Sequence, residues 1–283
     1  MSATMPECTA EPPPGWQARL ELDFAPDRRN RTLLVRNRHH GPLLVQRPLY
    51  PEQDTCHACI LHPPGGVVAG DRLRLDVRVR ERGGALLTTP GATRFYRSAG
   101  GTAVQEQRLR IEAGGCLEWL PQENILFPGA EVRLATRIEL AADGCFMGWE
   151  VLCLGLPANG ARMESGSLLA TLALDRDGHP LLRERLQISA EPDLDRPAGL
   201  RGHPVTGTFV ATGCDRDMAA GLRRLLPVRA NMTGGITLAG DLLVARYLGH
   251  STMEALSLFR NLWAQLRPVL RGRAACPPRI WAT

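Results

Sequence analysis

Apolar and polar side chains alternate with period two along most of the first two thirds of the chain. Arg72–Arg80 (RLRLDVRVR) sets Leu73, Leu75, Val77 and Val79 on one side, with Arg or Asp on the other. Glu131–Leu140 repeats the arrangement with Val132, Leu134, Thr136, Ile138 and Leu140. Such alternation predicts a half-buried antiparallel strand. Shorter runs of the same kind occupy Arg19–Phe24, Thr32–Arg36, Leu43–Gln46, Val104–Glu112, Leu168–Leu174 and Leu181–Ile188. Turn signals separate them: Gly41-Pro42, Arg82-Gly83-Gly84, Pro90-Gly91, Ala113-Gly114-Gly115, Ala142-Asp143-Gly144 and Arg176-Asp177-Gly178. Strands at this spacing predict a mainly β fold up to about residue 190, with stacked or sandwiched antiparallel and mixed sheets in a β-helix-like arrangement. The sequence shows no internal repeat.

The pattern changes after Glu191–Gly202, a stretch of charges, prolines and glycines that reads as a connection. A strand (Val205–Ala211), a helix (Asp215–Leu226), a turn at Gly234-Gly235 and a long strand (Ile236–Tyr247) are expected next. Ser251 with Glu254 three residues on forms a capping box. Leu256, Phe259, Trp263, Leu266 and Leu270 follow at helical spacing, and Pro268 is expected to kink or fray the end of that helix. The predicted organisation is a flexible Pro-rich tail over 1–15, a β-rich domain over 16–190, and a small α+β portion carrying two helices over 191–283. That last portion is expected to pack on the β-rich part as one continuous domain.

Composition narrows the function classes. The 283 residues carry a net charge of +5, and all 34 basic side chains are arginine. Genomic base composition accounts for the missing lysine; a surface built for bidentate carboxylate or phosphate contacts is the sharper alternative. The arginines are scattered, and three Tyr, six Phe and five Trp offer few stacking platforms, so nucleic-acid binding is not expected. Eight cysteines without framework spacing, several inside apolar runs, suit reduced thiols in a cytoplasmic protein. The N-terminal MSATMPECTAEPPPG lacks the basic and apolar regions of a signal peptide. The most apolar stretch, Cys145–Leu156, is short and carries Glu150, so no membrane span is expected.

Three places carry candidate chemistry. Cys56, His57, Cys59 and His62 gather four soft or borderline donors into seven residues, the kind Ni²⁺, Zn²⁺ and copper prefer. On a strand, however, Cys56 and His57 point to opposite faces, so packed thiols compete with a transient metal contact as the reading. Asp71 ends the turn at His62-Pro63-Pro64-Gly65-Gly66-Val67-Val68-Ala69-Gly70, where an acid caps backbone amides. Glu150 and Glu184 lie among apolar residues, and Thr93 precedes Arg94-Phe95-Tyr96-Arg97-Ser98. Burying a bare carboxylate costs several kcal/mol, so either arginine pairing inside the core or a hydrated polar passage must account for them. No G-x-S-x-G, H-E-x-x-H or G-x-G-x-x-G is present.

Several collinear stretches together resemble the UreD (UreH) family of urease accessory proteins. They are Gly15-Trp16-Gln17-Ala18, Gly41-Pro42-Leu43-Leu44-Val45-Gln46-Arg47-Pro48 and Asp54-Thr55-Cys56-His57, then the run from Leu61 to Asp71 and Pro90-Gly91-Ala92-Thr93-Arg94-Phe95-Tyr96-Arg97-Ser98. Leu117-Glu118-Trp119-Leu120-Pro121-Gln122-Glu123, Cys153-Leu154-Gly155, Trp263, Leu266-Arg267-Pro268 and Pro278-Arg279-Ile280-Trp281 complete the set. Ala69, Arg94 and Leu156 depart from the family pattern of Gly, Lys and Arg.

The resemblance implies a cytoplasmic scaffold for urease maturation, not an enzyme. The family binds apo-urease subunits and UreF, and through UreF the GTPase UreG, with UreE as an upstream nickel donor. Ni²⁺ is then a transient cargo inserted into the apo-enzyme, and no tightly bound cofactor is expected. The resemblance also implies a polar passage, for which Asp71, Thr93, Glu150 and Glu184 are the candidates, with Cys56 and His57 as a transient metal contact. The alternative is a metal-dependent hydrolase or lyase on a β scaffold using Cys56, His57 and His62. A β-sandwich ligand-binding module is a third, disfavoured by Trp119, Trp149 and Trp263, which sit in core-like patterns.

Overall fold

The computed structural model describes residues 15–189, 191–226 and 232–282. The chain opens with β1 (Gln17–Pro26), β2 (Thr32–His40), β3 (Leu44–Val45) and β4 (Cys56–Leu61). It continues through β5 (Arg72–Val79), β6 (Gly84–Thr88), β7 (Thr93–Phe95), β8 (Ala103–Ile111) and β9 (Cys116–Leu120). Next come β10 (Asn124–Leu126), β11 (Glu131–Leu140), β12 (Cys145–Leu154), β13 (Ser167–Arg176) and β14 (His179–Ser189). The C-terminal part holds α1 (Glu191–Asp195), β15 (Val205–Ala211), α2 (Arg216–Arg223), β16 (Thr233–Ala239), β17 (Leu242–Gly249) and α3 (Thr252–Arg271). The fold is therefore mainly β, and α2 and α3 are its two substantial helices.

One sheet has the order β14-β13-β11-β8-β5-β1-β2; the second runs β16-β17-β15-β12-β9-β6-β4-β3, with β10 beside β12 and β7 beside β10. From β5 to β13 the long strands alternate between the sheets, with the short β7 and β10 also in the second. β5, β8, β11 and β13 lie parallel in the first, and β6, β9 and β12 parallel in the second. Each circuit places one strand in each sheet, which makes the central part a β-solenoid. The β-helix-like expectation holds, although the sequence shows no repeat. The turns at Gly83, Gly115 and Gly144 are equivalent, and the residues that follow stack in register as Gly84, Cys116 and Cys145. The repeat is one of geometry, diluted by inserted loops and by unrelated side chains.

The pairing direction is also corrected. Arg72–Arg80 and Glu131–Leu140 alternate as expected, yet β5 and β11 pair in parallel on both sides. Alternation reports one covered face and one open face, whatever the strand direction. The second sheet covers one face of the first. Its central strands are covered on both faces, by the first sheet and by the helical side, so β6 and β9 are buried at every position. That double burial explains why GALLT and CLEWL read as continuous runs.

In the C-terminal part, the expected single strand Ile236–Tyr247 is a hairpin, β16–β17, turning at Gly240 (φ 63°) and Asp241. The turn expected at Gly234-Gly235 lies within β16. Asp215 caps α2 by accepting from the Met218 amide at 2.8 Å, and Ser251 caps α3 through the Glu254 amide. α3 runs past Pro268 to Arg271 and stops at Gly272 (φ 66°). Among the described residues no helix is long and apolar enough to cross a membrane. The expected tail, Gly15 apart, lies outside the described residues.

A buried ion cluster fixes α3 to the second sheet. Arg267 is fully buried; its Nε donates to Glu118 Oε2 at 2.9 Å, and its two terminal nitrogens fork onto Glu52 at 2.6 and 2.7 Å. Trp263 Nε1 donates to the same Glu118 oxygen at 2.5 Å. Burial opposes charge on Glu52, but hydrogen bonds from His57 and Arg267 outweigh it and lower its pKa to about 2. Breaking a buried pair by removing one partner strands the other charge, at about 3–5 kcal/mol. Glu118→Ala is expected to lose that much stability in urea unfolding, and Arg267→Lys to fail as a substitute because an ammonium lacks the fork. A loss below about 1 kcal/mol for Glu118→Ala contradicts this reading.

Candidate functional site

The space between the two sheets is not uniformly apolar. In β12, alternate residues Phe146, Leu152 and Leu154 face the first sheet, and so does Glu150. Glu150 pairs in register with Thr208 of β15, which pairs with Arg246 of β17. Opposite this row, the first sheet aligns Leu75, Gln107, Thr136, Leu172 and Glu184. Thr136 Oγ1 donates to Gln107 Oε1 at 3.3 Å, and Thr208 Oγ1 bridges the sheets to Glu184 Oε2 at 3.3 Å. Arg246 pairs with the other Glu184 oxygen. A polar band thus crosses the sandwich.

Two cavities meet on this band. One, of about 330 Å³, is lined by His62, Thr93, Gln105, Gln107, Asn124 and Glu150 among other residues. The other, of about 360 Å³, is lined by Glu150, Glu184, Thr206, Thr208 and Arg246 with apolar neighbours. Glu150 belongs to both walls. Its carboxylate makes no hydrogen bond or ion pair to any described residue, although part of its surface opens onto the cavities. Burial, and then the nearby Glu184 charge, push its pKa up to about 7. A carboxyl balanced between its two states near neutrality can exchange a proton for a passing cation. Hydroxyl, amide and carboxylate oxygens bind a divalent ion more loosely than thiolate and imidazole would.

The other residues singled out by sequence fall into distinct surroundings. Thr93, in β7, lines the first cavity beside His62, whose pKa is lowered by burial and only partly restored by Asp71. Asp71 is 2% exposed and lines neither cavity. Its oxygens accept from the Trp16 and Val68 amides at 2.7 and 2.9 Å, so it braces the turn that forms the cavity wall. Cys56 and His57 leave β4 on opposite faces. Cys56 Sγ lies toward the space between the sheets, 3.7 Å from Tyr50 Oη. His57 faces α3, with Nε2 2.6 Å from Glu52 Oε1. The two do not converge, and neither meets His62. Sequence reasoning missed Gln105, Gln107 and Thr208. The first two occupy inward positions of an alternating strand, which was the available signal.

The chain matches the family model described as UreD urease accessory protein over residues 17–282. It is 45% identical over 273 residues to the urease accessory protein UreD of Alcanivorax borkumensis, covering 95% of this chain and 93% of that protein. The UreD of Pseudomonas entomophila is 46% identical over 276 residues, covering 96% and 98% respectively. That of Azoarcus sp. is 46% identical over 274 residues, with 95% of each covered.

The state of Glu150 has a measurable consequence. A carboxyl raised from 4.5 to about 7 on folding adds no penalty below its unfolded pKa, and destabilises the fold progressively as pH rises to about 7. The full penalty above that pH is about 3 kcal/mol at most. Glu150→Gln is therefore expected to melt higher than the parent at pH 8, with the difference vanishing near pH 4.5. A pH-independent difference contradicts the assignment.

Proposed function

The chain belongs to the UreD family of urease accessory proteins, and from that premise we propose that it is a scaffold through which nickel reaches apo-urease. A role in urease maturation, and contact with urease and other accessory proteins, follow from the family. The finer reading is that the chain bridges apo-urease subunits and UreF, which brings UreG, and that Ni²⁺ is a transient cargo with no resident cofactor. The proposed route follows the polar band: Thr93 in the first cavity, Glu150 at the junction, Glu184 in the second, with Asp71 bracing the entrance turn. The observation that supports it most is the presence of Glu150 in both cavity walls, unpaired and poised near neutrality. Of the expected metal contact at Cys56 and His57, we retain His57 as the metal-facing member. A cytoplasmic location fits the described cysteines, all of them free thiols.

The chain is not an enzyme: its family consists of accessory proteins. The hydrolase or lyase alternative also lacks a constellation, since Cys56, His57 and His62 open onto three different surroundings.

The test is activation of apo-urease in the presence of the other accessory proteins. Omitting this chain is expected to abolish activation. Glu150→Ala is expected to cut the nickel content and activity of urease several-fold while the complex with UreF and urease survives pull-down. Asp71→Ala is expected to act more weakly, through the wall. Full activation without the chain overturns the scaffold reading; full activation by Glu150→Ala within an intact complex overturns the passage alone.

A further inference from the structure

A second cluster of donors lies on the opposite face of the second sheet from the polar band. His57, Leu86 and Glu118 stand in one register row facing α3, and the loop before β4 brings Glu52 beside His57. The segment after α3 is drawn over them because Arg267 donates to the Ala274 carbonyl at 2.5 Å, which sets Cys276 against the pair. Glu52 carboxylate, His57 imidazole and Cys276 thiol each offer a donor atom, and the three lie within 4.8 Å of one another. His57 is 6% exposed and the Glu52 side chain 9%.

Charge singles this cluster out from an ordinary ion network. Two buried carboxylates, Glu52 and Glu118, face one buried guanidinium, Arg267, with the His57 imidazole beside Glu52. A dication bound with the Cys276 thiolate brings the group to neutrality: two carboxylates and one thiolate against one guanidinium and one dication. Low-dielectric surroundings reward that balance. Access is present too. A cavity of about 400 Å³, lined by Pro51, His57, Cys59 and Pro277 among others, opens onto His57 and the chain neighbours of Glu52 and Cys276.

We infer that Glu52, His57 and Cys276 form a binding site for a borderline-soft divalent cation of the Ni²⁺ or Zn²⁺ kind. The choice of Ni²⁺ as its ion rests on the function proposed above. On binding, Cys276 releases its thiol proton to solvent, and His57 gives up the Nε2 proton it shares with Glu52, ending as the neutral imidazole with its one proton on Nδ1 and Nε2 free to coordinate. Metal–nitrogen and metal–sulfur bonds of about 2.0 and 2.3 Å require Cys276 to close in and the His57–Glu52 pair, now 2.6 Å apart, to open around the ion. Residues 274–278 have no regular secondary structure and supply that adjustment at Cys276. Sulfur and nitrogen donors hold such an ion more firmly than the oxygens of the band, so the cargo ion dwells longer at this site than on the band.

Ni²⁺ titrated into the full-length protein under a non-thiol reductant tests the site, read by equilibrium dialysis and by thiolate-to-nickel charge-transfer absorption. The parent is expected to show the absorption. Cys276→Ser, which leaves the Arg267 cluster intact, is expected to lose it and to bind at least about tenfold more weakly, the scale on which even outer partners of a metal matter. Cys56→Ser, Cys59→Ser and Glu150→Ala are expected to keep it. Nickel bound without a thiolate band, or a band that survives Cys276→Ser, overturns this site alone. No nickel bound at all overturns both the site and the metal-handling reading.

Discussion

Taking a carboxylate out of water inside a β sandwich costs several kcal/mol, and the molecule meets that cost in two opposite ways. At Glu118 and Glu52 it supplies a fully buried guanidinium, and the resulting Arg267 cluster pins helix, sheet and C-terminal segment together. At Glu150 it supplies no partner among the described residues and leaves the group facing two cavities, keeping its proton up to about pH 7. The first arrangement gives the scaffold its rigidity. The second leaves an unsatisfied site in the middle of a rigid frame, and every functional statement above depends on that contrast. The solenoid makes both possible. Its strands cross between sheets at each turn, so one face of the second sheet looks to the helices and the other to the first sheet.

Much of the architecture was legible along the chain. Alternation identified the strands of the first sheet, and Ser251 with Glu254 marked the start of α3. Parallel pairing was not legible, because period-two patterning reports which face is covered and not which way the neighbour runs. The solenoid repeat was hidden for a related reason. Equivalent positions such as Gly84, Cys116 and Cys145 share geometry without sharing chemistry. The hairpin at Gly240 was missed because the apolar character of Ile236–Tyr247 runs straight through the turn.

The candidate site was legible in part. Glu150 and Glu184 stood out as acids among apolar residues, and they do face one another across the sandwich through Thr208. Thr208 carries no charge anomaly, and Gln107 is marked only by its inward place in an alternating strand, a weaker signal than a buried acid. The Cys56–His57 spacing drew attention to the correct strand. Period two then sends the two side chains to opposite faces, and the partners His57 actually meets, Glu52 and Cys276, approach from a loop and from the chain end. The absence of lysine also gains a local meaning. Arg267 places a bidentate fork on Glu52 while its Nε holds Glu118, a geometry that an ammonium does not reproduce.

The account turns on whether a divalent ion occupies the junction at Glu150. Crystals of the protein with its partners, loaded with Ni²⁺ and measured at the nickel absorption edge, read this most directly. The account predicts an anomalous peak between the Glu150 and Glu184 carboxylates that disappears in Glu150→Ala. Nickel found elsewhere on the protein, with none at this junction, contradicts it.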